Sequence, residues 1–175
     1  MDLHIIPECY VDTNLIETLV SPLKGYNHQK GCGTVTKVMK ERFSDDFALG
    51  IIDKDKKEID YLKEFTEVLA KGSLILHKHK SRPHYIIQIN PAIEQFILNA
   101  VNEVGLHLRE YDLPDSIDAL KKVSKSANSK NDQRFKRLFR DVRKIGGNEL
   151  NILASWVEYL KSTTYDAELE VIKSL

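Results

Sequence analysis

Two aspartates one residue apart, Asp53 and Asp55, close the apolar run of "FALGIIDKDKKE" (47–58), and Glu8 closes the earlier run "LHIIPE" (3–8). Residues two apart on a strand share a face, so Asp53 and Asp55 can point together into one crevice. Carboxylate oxygens so placed suit a hard cation such as Mg2+, which takes one or two carboxylates plus water and substrate phosphate. Two such ions can stabilise the attacking and leaving oxygens of an in-line phosphoryl displacement. A D-x-D after an apolar run also has a plain origin, because loops after strands are polar and aspartate favours turns and caps. A glutamate ending the first strand tips the balance towards a site, since nothing structural requires an acid at both places.

Further candidates each carry two readings. Asp12 stands where a helix begins and is a cap, a ligand or both. Glu94 lies in the first turns of a later helix, where the dipole already favours a carboxylate. "KGCG" (30–33) can cradle a phosphate through Gly31 and Gly33 at a helix N-terminus, or it is a tight turn. "HKHKSRPH" (77–84) has neither a nearby cysteine nor H-E-x-x-H spacing, which speaks against zinc. It is a solvated turn between strands, or it brings Lys78, Lys80 or Arg82 to a scissile phosphate, with Lys80 the catalytic candidate. Ten Lys/Arg residues and two acids, Asp132 and Asp141, occupy positions 121–144. They form the wet side of amphipathic helices, or a strip that holds phosphates through Arg134, Lys136 and Arg137. Trp156 and Phe139, at helical spacing among aliphatic residues, belong to the core.

The elements that position these residues follow from periodicity. A short strand over 3–8 precedes a helix capped by Asp12, Thr13 or Asn14, with Leu15, Ile16, Leu19, Val20 and Leu23 on its buried face. A loop with room for one weak strand follows, then a helix from Thr34. Residues 47–52 form a continuous apolar strand of the kind buried on both faces of a parallel sheet. Ile59, Leu62, Phe65 and Leu69 predict a helix closed by Gly72. Strands over 73–77 and 84–89 come next, then a helix capped by Asn90 and starting at Pro91. Beyond residue 105 only helices are expected. The alternation gives an α/β fold, a mostly parallel sheet flanked by helices (1–105) with a helical C-terminal extension packed on it (106–175).

At 175 residues, 42% hydrophobic and 30% charged, the chain suits one domain with a real core. Lys plus Arg equals Asp plus Glu, so no global charge announces a nucleic-acid or membrane partner. Two cysteines without C-x-x-C spacing, no signal-peptide pattern and no apolar stretch near 18 residues lead to the expectation of a cytoplasmic protein.

In order, "PECYVD" (7–12), "KGCGTVTKVMKE" (30–41), "ALGIIDKDK" (48–56) and "IQINPAIEQFIL" (87–98) resemble the TOPRIM domain, closest to that of the overcoming-lysogenization-defect (OLD) nucleases and related small anti-phage proteins. The resemblance covers about the first hundred residues and implies a Rossmann-like sheet bearing a Mg2+- or Mn2+-dependent acidic site for nucleic-acid phosphodiesters, in phage defence or DNA repair. It makes Glu8 a metal ligand or general base, Asp53 and Asp55 metal ligands, and Asp12 and Glu94 the completion of a second metal position or its outer shell. DNA stands ahead of RNA as partner, and a separate ATPase is a further one. In the family a glycine usually follows the glutamate; Cys9 stands there instead. Two alternatives are a non-catalytic TOPRIM-like module that binds nucleic acid or a partner ATPase, and a phosphatase-type hydrolase with Asp53 as nucleophile.

Overall fold

The computed structural model describes residues 2–54 and 59–175. Asp55 therefore lies outside the described residues. The chain forms β1 (Ile5–Pro7), α1 (Tyr10–Leu19), α2 (Cys32–Arg42), β2 (Ala48–Asp53), β3 (Phe65–Lys71), β4 (Leu74–His79) and β5 (His84–Ile89). It continues through α3 (Ile93–Glu103), α4 (Ile117–Ser124), α5 (Gln133–Ile145), α6 (Asn148–Thr163) and α7 (Leu169–Ser174). The five strands make one mixed sheet in the order β1-β2-β5-β4-β3. β1, β2 and β5 are parallel neighbours, whereas β5–β4 and β4–β3 are antiparallel. The fold is α/β, but the expected mostly parallel character holds only for the half that carries Glu8 and Asp53. Short connections explain the other half, because tight turns join only antiparallel strands.

The helix predicted across Ile59, Leu62, Phe65 and Leu69 is not formed. A 3-10 turn occupies Asp60–Glu64 and the edge strand β3 follows it. Pairing of Lys71 with Leu74 leaves a two-residue hairpin loop, Gly72–Ser73, with Gly72 at φ +58°. Glu149 of α6 receives hydrogen bonds from the Ser73 amide and hydroxyl. The positive φ favours glycine, and a Cβ on Gly72 would displace the Glu149 carboxylate from Ser73.

No regular strand forms between α1 and α2. Instead Asn27 N donates to Ile5 O and Gln29 N to Pro7 O, both at 3.0 Å, so the segment runs beside β1 in the same direction. The helix after β5 starts at Ile93 rather than Pro91, with Ala92 as its N-cap. Its first amide is taken by the Asp53 carboxylate, 2.9 Å away; a tertiary partner sets the helix start.

Strand alternation divides the core in two. Ile5, Leu49, Ile51, Tyr85, Ile87 and Ile89 face α1 and α3, and the same cluster continues into α5 and α6 through Phe135, Phe139, Leu153 and Trp156. Ile6, Ala48, Ile52 and Ile86 face Val35 and Met39 of α2, with Tyr61 and Phe65 at the margin. Among the described residues no helix is long and apolar enough to cross a membrane.

Candidate metal centre

The carboxyl ends of β1 and β2 and the first turns of α1 and α3 meet at one edge of the sheet. Leu49 and Ile51 of β2 face the α1/α3 side, and Asp53 continues that odd-numbered series. This parity brings Asp53 to Asp12 of α1 and Glu94 of α3. Asp53 Oδ1 accepts from Ile93 N at 2.9 Å, next to Glu94 in the chain. Glu8 Oε2 accepts from Asp53 N at 2.9 Å, which ties the end of β1 to the end of β2. Four acids predicted as ligands, Glu8, Asp12, Asp53 and Glu94, are thus electrostatic neighbours.

Their charges act on one another. The Asp53 carboxyl is pushed up to about 9, first by burial and then by Asp12, Glu8 and Glu94. That of Asp12 is pushed up to about 7, again by burial and then by Glu8 and Glu94 among the charges. Desolvation and like charge both disfavour ionisation. Among the described residues, Asp12, Asp53 and Glu94 have no ion-pair partner.

Asp12 shows what its two oxygens do. Oδ2 accepts from Cys9 N at 3.1 Å, while the Cys9 thiol accepts from Asp12 N at 3.4 Å, a capping box with cysteine in the place usually taken by serine or threonine. Oδ1 is buried and has no hydrogen-bond partner, in a residue only 1% exposed. The helix cap therefore consumes one oxygen and leaves the other aimed at nothing the described chain provides. An unsatisfied buried acceptor costs free energy, and more so when charged. Cys9, whose bulk the resemblance sets beside the site, is turned onto the cap; burial pushes its thiol far up, with Asp12 adding to the effect, so it stays protonated.

The donor set is all-oxygen, which suits Mg2+ or Mn2+ rather than zinc. Among the described residues no three His, Cys, Asp or Glu side chains are already gathered as a complete ligand set. Gly31, at φ +90°, is the N-cap of α2, and its amide donates to Glu8 O at 3.4 Å. Open space surrounds the Cα of both Gly31 and Gly33, so the start of α2 stands beside Glu8.

The predicted cationic partners lie elsewhere. Lys78 pairs with Tyr85 near the start of β5, and Lys80 and Arg82 belong to the turn that follows β4. That turn sits at the far end of the sheet: His84 and Ile89 are the two ends of β5, five residue steps or about 17 Å of strand apart. Lys80 Nζ donates to Lys63 O and Arg82 Nη1 to Lys40 O. Antiparallel β4 carries these groups away from the carboxylates, and the assignment of Lys80 as catalytic is corrected on that ground. The neighbouring histidines are consumed by structural bonds: His77 with Gln88, His79 with Glu64, and His84 with Tyr61 and Phe43 O.

On α5, Arg134 is held by Asp132 and donates to Asp112 O, and Arg137 donates to Glu110 O while lying over the Tyr111 ring. Arg134, Arg137 and Arg140 line a groove of about 330 Å³ with Asp112 and Gln133; half-buried Lys136 is not among its lining residues. Sequence reasoning missed Ser124, whose hydroxyl donates to Glu94 Oε1 at 2.6 Å. Thirty residues separate the two, and no local pattern links them. No family model, curated protein or solved structure matches the chain.

Proposed function

We propose that the protein is a TOPRIM-like, Mg2+- or Mn2+-dependent nuclease acting on nucleic-acid phosphodiesters at the carboxyl ends of β1 and β2. The observation that carries the proposal is Asp12 Oδ1, a buried carboxylate oxygen without a donor, whose proton affinity is raised by burial and by Glu8 and Glu94. A divalent cation satisfies such an oxygen and reverses the electrostatics of the whole cluster.

Asp12, Asp53 and Glu94 are the residues to hold the ion, with Glu8 as ligand or general base and Asp55 as a further ligand. A bound Mg2+ or Mn2+ would supply charge to the developing oxygens of the displacement. The chain's own part is to fix its carboxylates: backbone amides of Asp53, Cys9 and Ile93 each hold one oxygen of Glu8, Asp12 and Asp53. The α2 start at Gly31 and Gly33 offers a place for a substrate phosphate beside Glu8, and the arginine groove on α5 a place for the rest of the strand. In the same proposal the partner is DNA ahead of RNA, with a separate ATPase as a further partner and phage defence or repair as the setting.

The test is cleavage of plasmid, single-stranded DNA and RNA with Mn2+, with Mg2+ and with chelator. Cation-dependent cleavage that Asp53→Asn lowers by roughly 10²–10³-fold is expected. Folded protein that binds the ion and nucleic acid yet cuts none of the three would leave the non-catalytic module instead. A phosphoryl group found on Asp53 would place it with the phosphatases.

A further inference from the structure

Glu94 is 4% exposed, and its charge is not neutralised by any cation among the described residues. Buried carboxylates are commonly paired with a cationic side chain or a metal. Glu94 is met instead by a hydroxyl. Ser124, itself 1% exposed and the last residue of α4, donates to Glu94 Oε1 at 2.6 Å. A hydroxyl adds no counter-charge and fixes the direction of the carboxyl group.

The same segment is anchored to the element that carries Asp12. Ser129 Oγ donates to Ser124 O at 2.6 Å, and Ser129 O in turn accepts from the Asn14 amide at 2.7 Å. Asn14 Nδ2 also donates to Asp132 O at 3.1 Å. Asn14 and Ser129 are both buried, and Asn14 lies two residues beyond Asp12 on α1. Residues 124–132 therefore staple α1 to α3, and with them the two most deeply buried acids of the site.

We propose that Ser124 is a positioning residue of the carboxylate centre, setting through Glu94 the geometry that a divalent cation meets, so that the helical C-terminal segment is part of the site. This rests on the reading of the four acids as a cation site. Hydrogen bonds that orient ligands from outside commonly tune metal affinity by about 10–100-fold.

Calorimetric titration of the full chain with Mn2+, without nucleic acid, tests it. Ser124→Ala is expected to weaken Mn2+ binding by about 10–100-fold. Ser126→Ala is the comparison: its hydroxyl accepts from Asn128 N in the same segment and does not touch Glu94, so its affinity stays at the wild-type value. Equal affinity in Ser124→Ala and wild type overturns the role of Ser124, and so does an equal loss in both variants, which would reflect loosening of the segment alone. Should the alanine protein not fold, Ser124→Cys decides: the weak thiol donor gives a several-fold loss, and no loss overturns the inference. A wild-type chain that binds no Mn2+ removes the cation site itself, and this inference with it.

Discussion

The two ends of the sheet treat buried polar groups in opposite ways. At the amino ends of β2 and β5, His84 is fully buried with both ring nitrogens bonded, Nδ1 to the Tyr61 hydroxyl at 2.7 Å and Nε2 to Phe43 O at 2.8 Å. His79 beside it accepts from two backbone amides through Nδ1, so its proton sits on Nε2, 3.2 Å from Glu64. Both histidines there have their ring nitrogens answered by partners. At the carboxyl ends four acids are grouped, two of them strongly raised, with one oxygen left without a donor. Settled polar networks rigidify a fold. Perturbed carboxyls of this kind concentrate at functional sites.

Substitution separates the two ends most sharply. Asp53→Asn keeps an oxygen for Ile93 N and removes a carboxyl whose ionisation its neighbours oppose, and with it the cost of holding a proton the unfolded chain has released. Alongside the loss of cleavage, it is expected to raise the melting midpoint in chelator by roughly 2–4 °C, corresponding to about 1 kcal/mol. At the other end His84→Ala is expected to cost about 3 kcal/mol, since it opens a cavity and strands the Tyr61 hydroxyl and Phe43 carbonyl. Its Mn2+ affinity stays unchanged. Thermal unfolding with and without Mn2+ reads both variants; a destabilised Asp53→Asn, or a His84→Ala that binds the ion poorly, breaks the contrast.

Acidity distinguishes the ends next. Asp12 and Asp53 titrate above the ordinary carboxylate value of 3.8, so the folded chain keeps protons the unfolded chain has released. Their contribution to stability is complete below 3.8 and is lost as pH rises through about 7 and about 9. His77 and His84 are lowered from 6.5, chiefly by burial, so the unfolded chain is the better proton binder and stability is lost as pH falls below 6.5. In chelator the melting midpoint should therefore decline between about pH 7 and pH 9. On the proposed function, Mg2+ should remove that decline by binding the ionised acids. A Mg2+-induced shift that does not grow with pH would count against the carboxylate cluster as the binding place.

Much of the carboxylate end is legible in the sequence because it is made from chain ends of regular elements. The apolar runs of β1, β2 and β5 announce their strands, and the acids that close the first two, Glu8 just past β1 and Asp53 at the end of β2, are visible without coordinates. The start of α3 is less so, since its first amide is capped by Asp53, forty residues earlier, and not by Asn90. Ile59, Leu62, Phe65 and Leu69 happen to match a helical period, although Ile59 precedes a 3-10 turn that holds Leu62, and the last two lie in an edge strand. The Gly72–Ser73 pair was the signal that a hairpin, and not a helix end, stood there. Ser124 has no local signal at all, because what gives it meaning is a contact across the fold.

Lys80 offers the smallest expected effect and a useful one. Its place in the basic turn HKHKSRPH made it a candidate for the scissile phosphate, but antiparallel pairing of β4 with β5 carries that turn to the opposite end of the sheet. Its ammonium group is exposed and bonds Lys63 O. At about 17 Å or more from Asp53, it lies beyond the Debye length of about 8 Å at physiological salt, so its charge is screened from anything held at the carboxylates. Lys80→Ala should leave the cleavage rate and Mn2+ affinity within about twofold of wild type, the scatter expected of an exposed surface charge. A tenfold loss of cleavage in Lys80→Ala, with unfolding unchanged, would mean that substrate spans both ends of the sheet, and the division between a settled end and a working end would fall.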